Sequence, residues 1–329
     1  MRIGIFMTPK ERAIAALTFK KLDMVPEFEL GFYLEEEMFG RKFLTGELDS
    51  KNLVVMSMKE KEAKIHALAE YITEVFTALE YPIFPISSVE IGISENPRDV
   101  PMETKMLIRY LREMVGDRHM LMTHGDGTFS IPDGNDMYEF AYAIADEPEE
   151  MKRKAFKMAE DAIEKNKVLL DAGIDCVKLC ADYCYNSGPF VSPAMFEEFI
   201  QPYLYKIIDE TKKMGLYTIK HTDGNIMPIL DQLVECRPHA LHSIDPQANV
   251  DIRVVKERVG DKVCLCGNVN CGLMQTGTDD EVIESATYCM TYAKPGGGYM
   301  FGASNVIYKG LQAERYRLIR DVYKSLRMY

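Results

Sequence analysis

Leu169-Leu170-Asp171-Ala172-Gly173-Ile174-Asp175-Cys176-Val177-Lys178-Leu179-Cys180 is where the fold becomes readable. The residues before it, Asp146 to Ala172, read as a long solvent-facing helix, and Gly173 supplies the left-handed cap that stops it. Ile174–Cys180 then carries apolar residues on both alternating faces, as a parallel strand does when helices cover it. Working outward, the same pairing of a short apolar run with an amphipathic helix recurs. The further strands are expected at Val25–Leu30, Pro82–Ile86, His119–Thr123, Leu216–Lys220, Ala240–Ser243, Lys262–Cys266 and Gly298–Phe301. Thr8-Pro9-Lys10-Glu11 is a capping box with proline in the first turn, opening a helix to about Leu22. Ser192-Pro193 opens another, with Phe196, Phe199, Ile200, Tyr203, Ile207 and Ile208 as its apolar stripe. Thr278-Asp279-Asp280-Glu281 starts a late helix, and Leu311 to Leu326 forms the last.

Eight strands alternating with helices predict an α/β fold, a (β/α)8 TIM barrel occupying 1–329 as one domain, with residues 1–23 as an N-terminal helical extension. A doubly wound open sheet is the rival. It lacks support because no glycine-rich turn follows the first strand. Gly125-Asp126-Gly127 and Gly296-Gly297-Gly298 do not match a nucleotide fingerprint.

The 329 residues carry 39 Lys and Arg against 51 Asp and Glu, a net charge of −12 that argues against a nucleic-acid partner. No run of about 18 apolar residues predicts a membrane span, and Met1 to Lys10 is too soon charged for a secretory signal. A cytoplasmic protein is expected, and self-association into a homo-oligomer is left open. The eight cysteines, from Cys176 to Cys289, contain no CxxC pair and are read as free thiols.

Barrel chemistry gathers at the C-terminal ends of the strands. There the chain places Phe32 and Tyr33, Ser87-Ser88 with Glu80 nearby, His124 and Asp126, Asp182-Tyr183, His221-Thr222-Asp223-Gly224-Asn225, His242 and Asp245, Asn268 and Asn270, and Ser304-Asn305. His221 and Asp223 are two apart, so in extended chain both side chains point one way and can converge on a ligand, proton or metal. The bland alternative makes Asp223 a helix cap and His221 a satisfied barrel histidine. Asp182 and Tyr183 offer a carboxylate and a phenol, or simply an Asp that satisfies loop amides. The pairs His124/Asp126 and His242/Asp245 read more readily as architecture, and the runs Glu35-Glu36-Glu37 and Glu147 to Glu150 as solvated surface.

Thr8-Pro9-Lys10-Glu11-Arg12 leading into Val25-Pro26 is similar to the start of the uroporphyrinogen decarboxylase superfamily. Gly188-Pro189-Phe190-Val191-Ser192-Pro193, Phe196-Glu197-Glu198-Phe199, Gln201-Pro202-Tyr203, His221-Thr222-Asp223-Gly224-Asn225, Gly267-Asn268-Val269 and Gly297-Gly298-Tyr299 extend the resemblance along nearly the whole chain. It implies a (β/α)8 barrel and one of two chemistries: cofactor-free decarboxylation of uroporphyrinogen, or methyl transfer involving a corrinoid protein. The decarboxylases grip their many-carboxylate substrate with an arginine-rich N-terminal segment, whereas Glu27 to Glu37 here contains no arginine and five glutamates. Glu80 and Ala303-Ser304 stand near positions where the decarboxylases have an aspartate and a late histidine. The coenzyme M methyltransferases bind zinc through His-x-Cys and a distant cysteine, but Asp223 occupies the second position here. An oxygen-richer site, from His221, Asp223, Asp182 and Glu198, suits activation of an oxygen leaving group. The resemblance therefore implies a zinc-assisted O-demethylase passing a methyl group from a small-molecule donor, a methoxylated aromatic ether, to the cobalamin of a partner corrinoid protein. Asp182, Tyr183, His221 and Asp223 would be catalytic, and Phe32, Tyr33, Glu80, Tyr185, Phe190, His242, Asn268 and Ser304 would line the substrate. A cofactor-independent decarboxylase and a non-catalytic binding barrel are the alternatives.

Overall fold

A computed structural model of the chain describes residues 7–43, 46–89, 91–92 and 94–329. Residues 1–6 of the expected N-terminal extension lie outside the described residues. Parallel strands β1 (Ile83–Pro85), β2 (Met120–His124), β3 (Cys176–Leu179), β6 (Tyr217–His221), β7 (Ala240–His242), β8 (Cys264–Cys266) and β9 (Tyr299–Met300) form one sheet in that order. Between β3 and β6, strands β4 (Cys184–Tyr185) and β5 (Gly188–Pro189) pair as a separate antiparallel hairpin. Alternate residues face opposite sides. Ile83, Met120, Met122, Cys176, Ile219, Ala240, Cys264, Cys266 and Met300 share one buried cluster with Phe28 and Leu30, so the sheet curls until its first and last strands contribute to one interior. Leu121, Val177, Leu179, Leu241, Leu265 and Phe301 pack outward under the helices.

The helix Pro9–Leu17 has the expected capping box and plugs the N-terminal end of the sheet with Ala13, Ala16 and Leu17. It stops short of Leu22 because Phe19 adopts a φ of +55°. Lys10 ties the plug to Asp175 at 2.6 Å. The long helix, Pro148–Ala172, ends at Gly173 with φ +109°, but it is not simply solvent-facing: Met151, Ala155, Ala159, Ile163 and Leu169 are buried. The helix expected from Ser192 is two helices, Pro193–Phe199 and Gln201–Lys213. Pro202 lacks the N–H that would continue the first into the second. All eight cysteines are free, and among the described residues no helix is long and apolar enough to cross a membrane.

The segment expected as the first strand is not part of the ladder. Val25–Leu30 runs extended, but among the described residues its backbone pairs with the sheet through a single parallel bridge of Glu27 to Phe301, made by Phe28 N–H on Phe301 O (2.7 Å) and Phe301 N–H on Pro26 O (2.9 Å). Among the described residues the ladder therefore has seven strands, not eight. Pro26 has no N–H to extend it, and the outward positions carry Glu27 and Glu29 rather than apolar groups. Side chains hold this segment instead. Arg320, from the last helix (Ala313–Leu326), donates to Glu27 at 2.8 and 3.3 Å, both partners being buried. Gly302 permits the approach, since a Cβ there would stand 1.8 Å from Phe28 O.

Candidate functional site

The parallel registers bring the C-terminal ends of β2, β3, β6 and β7 to one mouth. His221 is the last residue of β6 and His242 the last of β7, and the two are register partners, so their rings lie side by side with centroids 5.1 Å apart. His221 Nδ1 and His242 Nδ1 are 2.9 Å apart, and His242 Nε2 is 3.1 Å from Ala303 O. On its other edge His221 Nε2 stands 3.7 Å from Asp182 Oδ1 and 3.7 Å from Asp223 Oδ1. The imidazole is buried, whereas the carboxylates remain open to solvent, with side-chain exposures of 44% for Asp182 and 34% for Asp223.

Each carboxylate is oriented by a neighbour. Asp182 Oδ1 accepts the Asp223 amide at 3.1 Å, and Asp223 Oδ2 accepts Asn305 Nδ2 at 2.6 Å. Gly224 lets this loop pack against the β4 hairpin: its φ is +82° and a Cβ would stand 2.4 Å from Cys184 O. Asp245 braces the turn by accepting Gly224 N–H at 3.2 Å. Burial, followed by the charge of Asp182, pushes the Asp223 carboxyl up to about 6. Burial, followed by His242, holds the His221 imidazolium well below its ordinary range, so the ring is neutral. One imidazole and two carboxylates thus offer ligand atoms all within 4.8 Å of one another, the one such group among the described residues. At 3.7 Å the contacts are too long for direct hydrogen bonds. Two atoms bound about 2.1 Å from a shared tetrahedral ion stand about 3.4 Å apart, so the donor set fits a divalent cation.

The other expected site residues divide. Tyr33 and Tyr185 are exposed. Tyr185 O accepts the Asn225 amide at 2.9 Å, beside the His221–Asn225 loop. Phe190 is half-buried, its ring 5.6 Å from Phe140. Tyr183 turns away because it follows Asp182 directly and faces the opposite side: its hydroxyl bonds Thr128 Oγ1 at 2.6 Å and its ring lies under Lys220. Phe32 is likewise buried, against Phe76, Tyr81 and Tyr316. Glu80 precedes β1 and so sits at the opposite end of the sheet, paired with Arg327 at 2.6 Å. Glu198 is on the surface of its helix, bound to Lys152 at 2.8 Å. Asn268 is engaged with Ile244 O and Cys289, and Ser304 Oγ with the Cys271 amide. His242 touches His221 rather than the open mouth.

The profile described as "Uroporphyrinogen decarboxylase (URO-D)" matches residues 129–325, more than half of the chain. The chain belongs to the uroporphyrinogen decarboxylase family. Asp182, His221, Asp223, His242 and Asn305 all lie inside the family region. Uroporphyrinogen decarboxylase of Photobacterium profundum is 24% identical over 180 residues, covering 52% of this chain and 47% of that protein. The enzyme of Pseudoalteromonas translucida is 25% identical over 168 residues, covering 49% and 44%. The matched part thus spans about half the length of these relatives. A methyltransferase from Methanosarcina mazei superposes along nearly the whole fold, with TM-score 0.69, 18% identity and coverage of 97% of this chain and 99% of that one.

Within this family fold, sequence reasoning set Asn305 at the strand ends beside Ser304 but gave the site role to Ser304, whereas Asn305 is the residue that orients Asp223. Its signal was present, since it adjoins Ser304 in the segment that follows β9, but the course of that segment decides which neighbour faces the mouth. Sequence reasoning missed the carbonyl of Ala303, a main-chain group without a sequence signature.

Proposed function

We propose that the protein is a metal-dependent methyltransferase that demethylates a methoxylated aromatic ether and passes the methyl group to the reduced cobalt of a corrinoid carried by a partner protein. The observation that carries this reading is the convergence of His221 Nε2 with Asp182 and Asp223 at an open mouth. The fold shared with a methyltransferase supports it, as does a first segment, Glu27 to Glu37, that lacks arginines for a polycarboxylate substrate.

Asp182, His221 and Asp223 would hold the ion, with zinc as the expected metal. It would supply a Lewis acid to stabilise charge on the ether oxygen. Methyl transfer would break the CH3–O bond with its electron pair left on oxygen as phenolate, and the partner's reduced corrinoid would supply the pair for the new bond to carbon. No external oxidant or reductant enters. Asn305 and the Asp223 amide keep the two carboxylate oxygens aimed at His221. Tyr33 and Tyr185 offer exposed rings for a flat donor.

The family name favours a second reading, decarboxylation of a porphyrinogen. Zinc-loaded protein is incubated with a methoxybenzoate and reduced corrinoid protein while methylcobalt absorbance is followed; the same preparation is given uroporphyrinogen. The proposal expects methylcobalt and no coproporphyrinogen. Coproporphyrinogen without methylcobalt, whatever methyl ether is offered, replaces it with the second reading.

A further inference from the structure

We propose that His242 is a positioning residue that locks His221 in its Nδ1–H tautomer and so keeps Nε2 as the atom offered to a metal. The claim deepens the reading of Asp182, His221 and Asp223 as a cation site and rests on it.

Hydrogen-bond direction fixes the tautomer. A carbonyl oxygen only accepts, so His242 Nε2, 3.1 Å from Ala303 O, must hold the proton and donate. In a neutral ring that leaves His242 Nδ1 as an acceptor. The other nitrogen at that contact, His221 Nδ1 at 2.9 Å, must then be the donor. Its proton thus assigned, His221 has a lone pair on Nε2, which is the edge facing Asp182 and Asp223. The opposite tautomer would set two acceptor lone pairs against each other at 2.9 Å and leave His221 Nε2–H without a carboxylate inside hydrogen-bond range. Both rings are buried, which disfavours a charged imidazolium that could reverse the direction.

The relay is anchored at every link. β6 and β7 hold the two histidines in register. Phe28 packs edge-on against His242, with centroids 5.3 Å apart. Ala303 is fixed by its own amide, which donates to Glu29 Oε2 at 3.2 Å, and by a parallel bridge to Val269. A histidine ligand whose second nitrogen has a fixed partner binds metal more tightly, and loss of such a partner lowers affinity about 10–100-fold.

Three variants separate positioning from packing. His242→Phe keeps a ring beside Phe28 but has no acceptor. His242→Ala removes both, and His242→Gln can donate to Ala303 and accept from His221. Metal-free protein labelled with 15N-histidine is read by long-range proton–nitrogen correlation, where six histidines give few signals to assign. Zinc affinity is read by competition with a chromophoric chelator, and folding by thermal melting. Wild type is expected to show His221 protonated on Nδ1. His242→Phe and His242→Ala should lose that tautomer and about 10–100-fold in zinc affinity, with partial recovery in His242→Gln. A wild-type His221 protonated on Nε2 overturns the inference without any variant being needed. So does a folded His242→Phe with wild-type tautomer and affinity. An Nδ1–H His221 in a wild-type protein that binds neither zinc nor another divalent ion overturns the metal reading instead, and with it the purpose assigned to the relay.

Discussion

Replacing Arg320 with Met tests how the first segment is held to the sheet. The guanidinium donates to Glu27 at 2.8 and 3.3 Å and to Leu79 O at 2.5 Å, with both charged partners buried. Methionine keeps much of the apolar stem but leaves Glu27 as an uncompensated buried charge, which costs about 3–5 kcal/mol. An unfolding entropy of about 2.1 cal/mol/K per residue over this chain converts that cost to a drop in Tm of about 4–7 °C. Burial already raises the Glu27 carboxyl above its ordinary value, and Arg320 is the main influence opposing the rise. Without Arg320 the folded-state value climbs further. A carboxyl raised on folding contributes stability that is present below its unfolded value near 4.5 and lost as pH rises through the folded one. The deficit of Arg320→Met relative to wild type should therefore widen from about pH 5 to pH 8. Denaturant melts at several pH values measure it, and adding Glu27→Gln should recover most of the loss. A deficit under about 1 kcal/mol, or one that narrows as pH rises, refutes the reasoning. The consequence reaches the mouth, because Glu29, two residues on, holds the amide of Ala303, whose carbonyl anchors His242.

Three further expectations concern the mouth directly. Asn305→Ala removes the 2.6 Å bond to Asp223 and should weaken zinc binding about 10–100-fold in chelator competition, with little change in Tm. Tyr183→Phe loses a buried bond to Thr128 and should cost about 1 kcal/mol in a denaturant melt while leaving methyl-transfer turnover within about twofold; a hundredfold loss would return Tyr183 to the reacting centre. Gly224→Ala forces a side chain into a φ of +82° and against Cys184 O, so it should lose about 1–3 kcal/mol of stability and displace Asp223, seen as weaker zinc binding.

The parallel strands were legible because Val177, Leu179 and their counterparts are apolar on the outward face as well as the inward one. Val25–Leu30 misled for the same reason in reverse: Phe28 and Leu30 supply a strand-like inner face, but Pro26 and the outward glutamates replace ladder bonds with a buried ion pair that no local pattern announces. At the mouth, the two-residue spacing of His221 and Asp223 is a local signal, and it brings their side chains to one place. Adjacency is a weaker guide than that spacing. Tyr183 beside Asp182, and Ser304 beside Asn305, were read with their neighbours although Tyr183 bonds Thr128 and Ser304 bonds the Cys271 amide, away from Asp223. Glu80 lies away from the mouth because a residue before a strand stands at the other end from a residue after it. The tie between His221 and His242 depends on the register of β6 against β7, a tertiary fact that spacing along the chain does not contain.

Anomalous diffraction at the zinc edge from zinc-loaded crystals tests the proposed metal centre most directly. One peak is expected about 2.0–2.2 Å from His221 Nε2 and from a carboxylate oxygen of both Asp182 and Asp223, with His221 Nδ1 still bonded to His242. No peak at the mouth, or zinc bound by other side chains while these three keep their hydrogen-bonded neighbours, would contradict it.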